Sequence, residues 1–182
     1  MEYVDPIRKI EQINQIKQLL KERSSRDYLL FVIGINTGLR INQLLHLTRK
    51  DVLAQDRIRD FLIVPSIDEA IYLNTNVKRA IEYHLAEMKR TDDYLFASVK
   101  TGKPISRQQA YRIISQAAQQ VGIPGKIGTH TLRKTFGYHA YRRGIAISFL
   151  QKRFKHKTRT TTLDYIGVTS EDNRPPEIDV DL

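Results

Sequence analysis

The chain has 182 residues, of which 41% are hydrophobic and 27% are charged, a composition that indicates one globular domain with its own core. A net charge of +10 and a pI of about 9.8 favour a polyanionic partner, with nucleic acid first. The absence of cysteine excludes a disulfide framework, a thiolate metal site and a cysteine nucleophile, and we expect neither a membrane span nor a secretion signal.

The first part of the chain predicts three helices. Isoleucine and leucine recur at helical spacing over residues 6–22, with Pro6 suited to the first turn. A second, largely buried helix is predicted over residues 26–36, and Gly38 ends it. The segment 40–48 predicts a third, short helix.

The middle of the chain changes in pattern. Residues 57–73 are rich in β-branched and aromatic side chains, which predicts an antiparallel hairpin. A helix follows over residues 76–89, and then a short apolar run at 94–98 that is a strand or extended. A capping signature at Ser106 opens the next predicted helix, over residues 107–121.

The last part of the chain predicts three more helices. The first begins at Thr129 or Thr131 and ends at Gly144, and two short ones follow near residues 146–154 and 159–166. The sequence therefore predicts a mainly α domain with one small antiparallel β-sheet, of the α+β class.

Positive charge is concentrated in one segment. Residues 126–165 carry ten Lys or Arg residues against one acid, Asp164, whereas residues 166–182 carry five acids against one arginine. We expect a basic globular unit over residues 1–167 and an acidic tail over 168–182 that is flexible or orders as an arm on a partner.

The segment GTHTLRKTF places His130 and Arg133 three residues apart at a predicted helix start, so both side chains can share one face. Unpaired N–H groups at a helix N-terminus favour an anion, and the planar guanidinium of Arg133 matches two phosphate oxygens. The alternative is an ordinary polar helix start with a solvent-facing arginine.

The segment TGLR places Arg40 at the turn between two helices that read as buried, which predicts that its charge is held close to the core. A charge there requires a partner. That partner is either internal, a carboxylate or helix C-terminal carbonyls, or it is a bound phosphate.

The segment FKHKTRTTTLDYIG places Tyr165 nine residues after His156. A phenol is a poor nucleophile at neutral pH, but cations stabilise the phenolate, and an imidazole can bind a phosphate oxygen or carry a proton. The segment is consistent with attack of Tyr165 on a phosphate. The alternative is a solvated basic loop with a packing tyrosine and a surface histidine.

The three segments together resemble the tyrosine recombinases, the integrase family of DNA strand-exchange enzymes. TGLRINQLLHL resembles the family's first-arginine box, HTLRKTF its H-x-x-R box, and FKHKTRTTTLDYIG its closing His-to-Tyr segment. Their order and separations match across residues 37–167, with weaker similarity over the first two helices. The resemblance implies the fold of the family's catalytic domain and the activity of a site-specific DNA recombinase.

The resemblance also implies a role for each reacting side chain. Arg40 and Arg133 would bind the non-bridging oxygens of the scissile phosphate, His130 would assist proton transfer, and His156 would hydrogen-bond the phosphate. Tyr165 would attack, forming a 3′-phosphotyrosyl link and releasing a 5′-hydroxyl. These side chains stabilise the developing negative charge without a metal or another cofactor.

The chain departs from the family pattern in its hairpin. Members usually carry a catalytic lysine there that protonates the leaving 5′-oxygen, but residues 60–77 contain none. The predicted tip carries Asp68 and Glu69, which would repel a phosphate. Either Lys50 or Lys103 supplies the proton, or the activity is slow or lost.

Three further departures are smaller or concern the chain's extent. Gln43 stands where an acidic residue is common in the family, and Lys155 stands where glycine is common. The resemblance also implies that the chain begins where the family's catalytic domain begins, without the N-terminal core-binding domain that closes around DNA, and is either a fragment or a natural short form. We expect weaker and more salt-sensitive DNA binding as a result.

The remaining basic residues suggest contacts with double-stranded DNA. Arg107, Gln108 and Arg112 open a capped helix whose polar face either enters a major groove or is simply solvated. The predicted backbone contacts are Lys126, Lys134, Arg153, Lys157 and Arg159. The family resemblance implies four protomers around two duplexes, a monomer when free, and a cytoplasmic protein encoded by a bacterium or a phage.

Two other functions fit the same residues. One is a DNA-binding module that keeps the fold and the phosphate site but does not cut. The other is a nicking and closing enzyme that resembles a type IB topoisomerase and relaxes supercoils without exchanging strands.

Overall fold

The computed structural model describes residues 4–64, 69–88 and 93–169. Within those ranges the chain forms nine helices and four two-residue strands. The helices are α1 Ile10–Arg23, α2 Ser25–Thr37, α3 Ile41–Leu45, α4 Arg49–Val52, α5 Thr75–Glu87, α6 Arg107–Gln120, α7 Thr129–Arg142, α8 Ile147–Phe154 and α9 Arg159–Ile166. The strands are β1 Leu53–Ala54, β2 Arg57–Ile58, β3 Phe61–Leu62 and β4 Ile71–Tyr72.

Helix α2 is the centre of the core. Five consecutive apolar residues, from Leu29 to Ile33, are at most 1% exposed, so this helix is covered on every side by α1, α5 and α7. Burial of each such side chain stabilises the fold by about 1.5–3 kcal/mol. Gly34 lets α7 approach closely, because a Cβ there would lie 2.6 Å from Leu132 Cδ1.

Both ends of α2 follow from sequence. The hydroxyl of Ser24 accepts a hydrogen bond from the backbone N–H of Asp27 at 3.2 Å, which caps the first turn. Gly38 adopts the left-handed conformation with φ of 65°, which ends the helix as predicted. Helix α1, by contrast, begins at Ile10 rather than at residue 6, because residues 4–9 run across α7 instead of coiling.

The structure has two short hairpins where the sequence predicted a single one over residues 57–73. Strand β2 turns back through a tight turn and pairs with β1, with Leu53 opposite Ile58. Strand β3 pairs with β4, with Phe61 opposite Tyr72. The sequence predicted one continuous strand in place of β2 and β3, because the side chains of both are equally suited to a strand. The fold class is nevertheless confirmed as mainly helical with small antiparallel pairs.

At the predicted hairpin tip, Asp68 lies outside the described residues, and so does most of the predicted acidic tail. The segment 94–98, predicted to be a strand or extended, instead makes a turn at residues 95–96, between isolated bridges from Tyr94 to Thr48 and from Ala97 to Pro104. In the part of the chain that the structure describes, no helix is long and apolar enough to cross a bilayer.

His84 on α5 is a structural histidine in the core. Its Nε2 lies 2.7 Å from the carbonyl oxygen of Leu95 and its Nδ1 lies 3.0 Å from the hydroxyl of Ser25. A carbonyl only accepts, so Nε2 carries the proton and the ring is satisfied in its neutral form. Burial lowers the pKa of His84 below its usual 6.5.

A second, smaller core holds α9 in place. Leu150, Phe154 and Ile166 are buried together where α8 and α9 meet α7. Gly137 makes room for them, since a Cβ there would lie 2.5 Å from Ile166 Cγ2 and 2.9 Å from the Phe154 ring. The position of α9, and therefore of the tyrosine that it carries, depends on this close approach.

Candidate active site

A hollow of about 380 Å³ opens where four elements end or begin: the α2–α3 turn, the first turns of α6 and α7, and the end of α8. We call it the cationic hollow. The residues that line it are Arg40, Ile41, Asn42, Gln43, Arg107, Thr129, His130, Arg133, Arg153 and Lys155. Among the residues that the structure describes, five cations and no carboxylate line this space, so it attracts an anion of phosphate size.

Arg133 is the most constrained of these cations. Its side chain is buried, and it donates hydrogen bonds to the carbonyl oxygens of Gly38 and, at 3.3 Å, Arg153. Its guanidinium carbon lies 4.4 Å from the centroid of the Phe154 ring. Burial lowers the pKa of Arg133 to about 10, so the group stays charged at neutral pH. The solvent-facing alternative for this arginine is therefore wrong.

Arg40 lies differently from the expectation. Its side chain is exposed at the edge of the cationic hollow rather than held against the core. The residue precedes α3, and its backbone N–H donates to Gln43 Oε1 at 2.9 Å. Gln43 thus caps α3, a role in which its amide oxygen replaces the carboxylate common in the family.

His130 lies in the first turn of α7, beside the arginine three residues later. Helix α7 begins at Thr129, the first of the two predicted starts. Partial loss of hydration lowers the pKa of His130, and nearby cations, with Arg107 the foremost, lower it further. The imidazole is therefore neutral at pH 7 and able to accept a proton.

His156 follows the end of α8, where Lys155 turns the chain in the left-handed conformation with φ of 58°. The ring Nδ1 of His156 lies 3.2 Å from Thr162 Oγ1 on α9, which ties the loop to that helix. Partial burial lowers the pKa of His156, and the charges of Arg133 and Arg40 add to this effect.

Tyr165 packs against the same side chains. Its ring centroid lies 5.0 Å from that of His156 and 5.4 Å from that of Phe154. The ammonium of Lys134 lies 5.2 Å from the Tyr165 ring centroid. All five residues predicted to react are therefore brought together by elements separated by more than a hundred positions in the chain.

The hydroxyl of Tyr165 is not activated in this state. Burial raises its pKa above the usual 10, although the guanidinium of Arg133 opposes the shift through its charge and a side-chain hydrogen bond. The charge of Arg40 acts in the same direction as that of Arg133. The phenol stays protonated until a base removes its proton.

Six of the predicted DNA contacts are exposed. Arg107 also lines the cationic hollow, and Gln108 and Arg112 lie beside it on the first turns of α6. The exposed side chains are Arg107, Gln108, Arg112, Lys126, Lys157 and Arg159. Their exposure is compatible with contacts to DNA.

Two of the predicted backbone contacts are not on the surface. Lys134 is 7% exposed beneath Tyr165, because it faces inwards from α7. The side chain of Arg153 is 8% exposed, and it donates to the carbonyl of Thr37 at 3.4 Å. Arg153 borders the cationic hollow, so it can meet a phosphate there but not on an open surface.

The expected repulsion by the hairpin is partly neutralised. Glu69 lies 2.6 Å from Lys152 Nζ and 3.7 Å from Arg153, both on α8. The hydrogen bond from Lys152 is the main cause of the lowered pKa of Glu69. The carboxylate therefore remains charged but is paired with cations of α8.

Neither lysine suggested as a replacement for the hairpin lysine lines the cationic hollow. Lys50 borders a different depression with Arg49 and Arg59, and Lys103 lies in an exposed turn. Lys155 does line it, which the sequence analysis missed. The signal was present, because Lys155 occupies a position where the resembling family usually has glycine.

The side chains that could bind a metal ion are dispersed over residues 4–64, 69–88 and 93–169. No three His, Asp or Glu side chains in those ranges cluster in a way that could hold an ion.

The model of the phage integrase family matches residues 8–172. The chain is 43% identical over 174 residues to the probable integrase/recombinase YoeC of Bacillus subtilis (strain 168), covering 96% of this chain and 95% of that protein. The fold is similar to a crystal structure of XerA recombinase, with a TM-score of 0.77 and 22% identity over 94% of this chain. It is also similar to XerH recombinase bound to palindromic difH substrate in a post-cleavage complex, with a TM-score of 0.74 and 18% identity over 93% of this chain. The chain spans 61% and 51% of those two structures, respectively.

Proposed function

Because the chain belongs to the phage integrase family, we propose that it cuts and rejoins strands of double-stranded DNA through a covalent 3′-phosphotyrosyl intermediate. The observation that carries this proposal is that two arginines and a histidine line one phosphate-sized hollow, while a tyrosine that packs against a second histidine is hydrogen-bonded to one of those arginines. The residues are Arg40, Arg133, His130, His156 and Tyr165.

The cationic hollow would hold the scissile phosphate between two different arginines. Arg133 is held in place by Gly38 and the Phe154 ring, so it loses little conformational freedom on binding. Arg40 is exposed at the edge of the same hollow and would bind a second oxygen of the phosphate. Each well-aimed donor of this kind stabilises the transition state by about 3–4 kcal/mol.

The reaction begins when the hydroxyl oxygen of Tyr165 attacks phosphorus. A bond forms between that oxygen and phosphorus, and the bond from phosphorus to the 5′-oxygen breaks. The phenol proton passes to His130, whose lowered pKa leaves it neutral and able to accept. His156 donates to a phosphate oxygen, and the approach of the phosphate anion favours the protonated imidazole. A 5′-hydroxyl attacking the phosphotyrosine reverses these steps and joins the strands.

The leaving 5′-oxygen needs a proton, and Lys155 is the side chain of the hollow best suited to supply it. An ammonium can give up a proton, whereas a guanidinium is effectively always protonated. Lys155 lines the same space as Arg133 and directly precedes His156. It would therefore act where the family's hairpin lysine usually does.

The proposed substrate is a duplex that lies across the exposed basic residues. Arg107 and Arg112 present charge at the start of α6, and Lys157 and Arg159 present it beside the nucleophile helix. The XerH neighbour is bound to a DNA substrate, which supports DNA as the substrate here. We further propose that four copies act around two duplexes and that the free protein is a monomer.

The test uses a library of nicked duplexes with a randomised core. Protein is incubated with the library, denatured in detergent, and any DNA that remains covalently attached is recovered and sequenced. The proposal predicts an adduct with a recurring site that disappears in Tyr165→Phe while DNA binding persists. Two intact duplexes that carry the recovered site should then yield recombinant product.

The opposing candidate is a DNA-binding module without cleavage activity. Two observations favour it: the raised pKa of Tyr165 and the absence of lysine from residues 60–77. It predicts salt-dependent binding to the library with no adduct, and that result would overturn strand transfer. An adduct with relaxation of supercoils but no recombinant product would instead indicate a nicking and closing enzyme.

A further inference from the structure

The segment ahead of α1, residues 4–9, forms a strap across the face of α7. Its residues Val4, Pro6 and Ile7 are buried. The backbone N–H of Ile7 donates to Thr135 Oγ1 at 2.9 Å, and His139 Nε2 donates to the carbonyl of Ile7 at 2.9 Å. We call these six residues the N-terminal strap. Side chains of α7 therefore hold its backbone at a fixed place.

The strap reaches the nucleophile helix through Arg8. Arg8 Nη2 donates to the carbonyl oxygen of Gly167 at 2.6 Å, across 159 positions of sequence. Gly167 is the residue that ends α9, and it follows Tyr165 by two positions. Carbonyls at a helix C-terminus lack partners within the helix and carry partial negative charge, so a guanidinium suits this location.

The geometry of this contact is restricted on both sides. The guanidinium carbon of Arg8 lies 5.5 Å from the centroid of the Tyr138 ring, which limits its rotation. A Cβ on Gly167 would lie 3.2 Å from Pro6 Cγ and 3.1 Å from Arg8 Nη2. The left-handed glycine is thus packed directly against the strap, with no space for a side chain.

A second link runs from the strap to the tyrosine itself. The carboxylate of Asp5 raises the pKa of Lys134, in opposition to burial, so the two charges interact. The ammonium of Lys134 in turn lies 5.2 Å from the Tyr165 ring centroid. The strap therefore contacts the end of α9 through Arg8, and the charge of Asp5 acts on the lysine that lies beside the tyrosine ring.

Helix α9 needs such support, because it has only eight residues. Helices of this length are marginal alone, and their last turn frays most readily. Tyr165 lies in that last turn. A shift of its hydroxyl by about 1 Å would slow attack on phosphorus by about a hundredfold.

From these contacts we infer that Arg8 is a positioning residue, which holds the last turn of α9 so that the Tyr165 hydroxyl stays aligned with the cationic hollow. This inference rests on the proposed function, because alignment matters only if Tyr165 is the nucleophile. Arg8 touches neither substrate nor reacting atom in this role.

The test compares Arg8→Gln with Lys9→Gln. Both residues are exposed, and both variants lose one positive charge from the same segment, so any general loss of DNA attraction is matched. At saturating DNA, with the site recovered from the library, Arg8→Gln should form the covalent adduct about tenfold to a hundredfold more slowly. The Kd for DNA should equal that of Lys9→Gln, and Arg8→Lys should recover part of the rate.

A second measurement does not depend on catalysis. Backbone amides of residues 163–168 in the free protein should exchange hydrogen about tenfold faster in Arg8→Gln, and not in Lys9→Gln. If the unaltered protein forms no adduct, the proposed function fails, and the exchange rates still decide whether Arg8 holds α9. The inference is overturned if Arg8→Gln shows unchanged exchange, or if its adduct forms at the rate of the unaltered protein.

Discussion

Gly38→Ala is expected to have two effects: it should destabilise the fold, and it should weaken the binding of phosphate. Gly38 has φ of +65°, a conformation that costs an alanine about 1 kcal/mol. A Cβ there would also lie 2.8 Å from Phe136 Cε1 and closer still to Cδ1. Overpacking of this kind costs about 1–3 kcal/mol, so we expect a total loss of about 2–4 kcal/mol.

Gly122→Ala is the matched control. Its φ is +68°, almost the same as that of Gly38, but nothing lies within 4 Å of the position that a Cβ would occupy. This variant should lose only the backbone contribution, about 1 kcal/mol. Urea unfolding of both variants beside the unaltered protein measures the difference. Equal losses would show that the contact with Phe136 has no energetic weight and would refute the packing argument.

The same substitution should also disturb the candidate active site. The carbonyl of Gly38 accepts a hydrogen bond from Arg133, and Phe136 packs edge-on against Phe154, with ring centroids 6.4 Å apart. Displacement of either neighbour moves the guanidinium that is proposed to hold the scissile phosphate. We expect about tenfold weaker binding of the recovered DNA site in Gly38→Ala at constant salt, with no change in Gly122→Ala.

Two more predictions follow from titratable side chains. Burial lowers the pKa of His84 in the folded state, so the unfolded chain binds more protons than the folded chain below pH 6.5. The free energy of unfolding should therefore fall as the pH decreases through that value, and it should be constant above it. Urea midpoints measured from about pH 8 to about pH 5 test this, and His84→Gln should show a shallower decrease; an equally steep one would assign the effect to other groups. Lys155→Gln should slow adduct formation at saturating DNA by about a hundredfold, whereas the exposed Lys100→Gln should not. In a substrate whose leaving 5′-oxygen is replaced by sulfur, the leaving group needs no proton, so this substrate should restore the rate of adduct formation in Lys155→Gln. If it does not, Lys155 is excluded as the proton donor.

The side chains of the candidate site could be identified from the sequence because their spacing is local. The spacing of His130 and Arg133 on one helix turn, and of His156 and Tyr165 around a short helix, follows from the residue order alone. Gly38 and Gly167 both end helices in the left-handed conformation, as glycine at those positions suggests. These features depend on neighbours within a few positions, which sequence reports directly.

The sequence by itself determined the class of fold, most helix positions and the identity of the side chains that could bind a phosphate. Only the tertiary structure decided where the long cationic side chains lie. Lys134 follows Arg133 by one position, yet a helix turns each residue about 100° from the last, so Lys134 lies under Tyr165 while Arg133 faces the hollow. The contact of Arg8 with Gly167 and the entry of Lys155 into the hollow likewise depend on packing between segments far apart in the chain, and no local pattern encodes such distances.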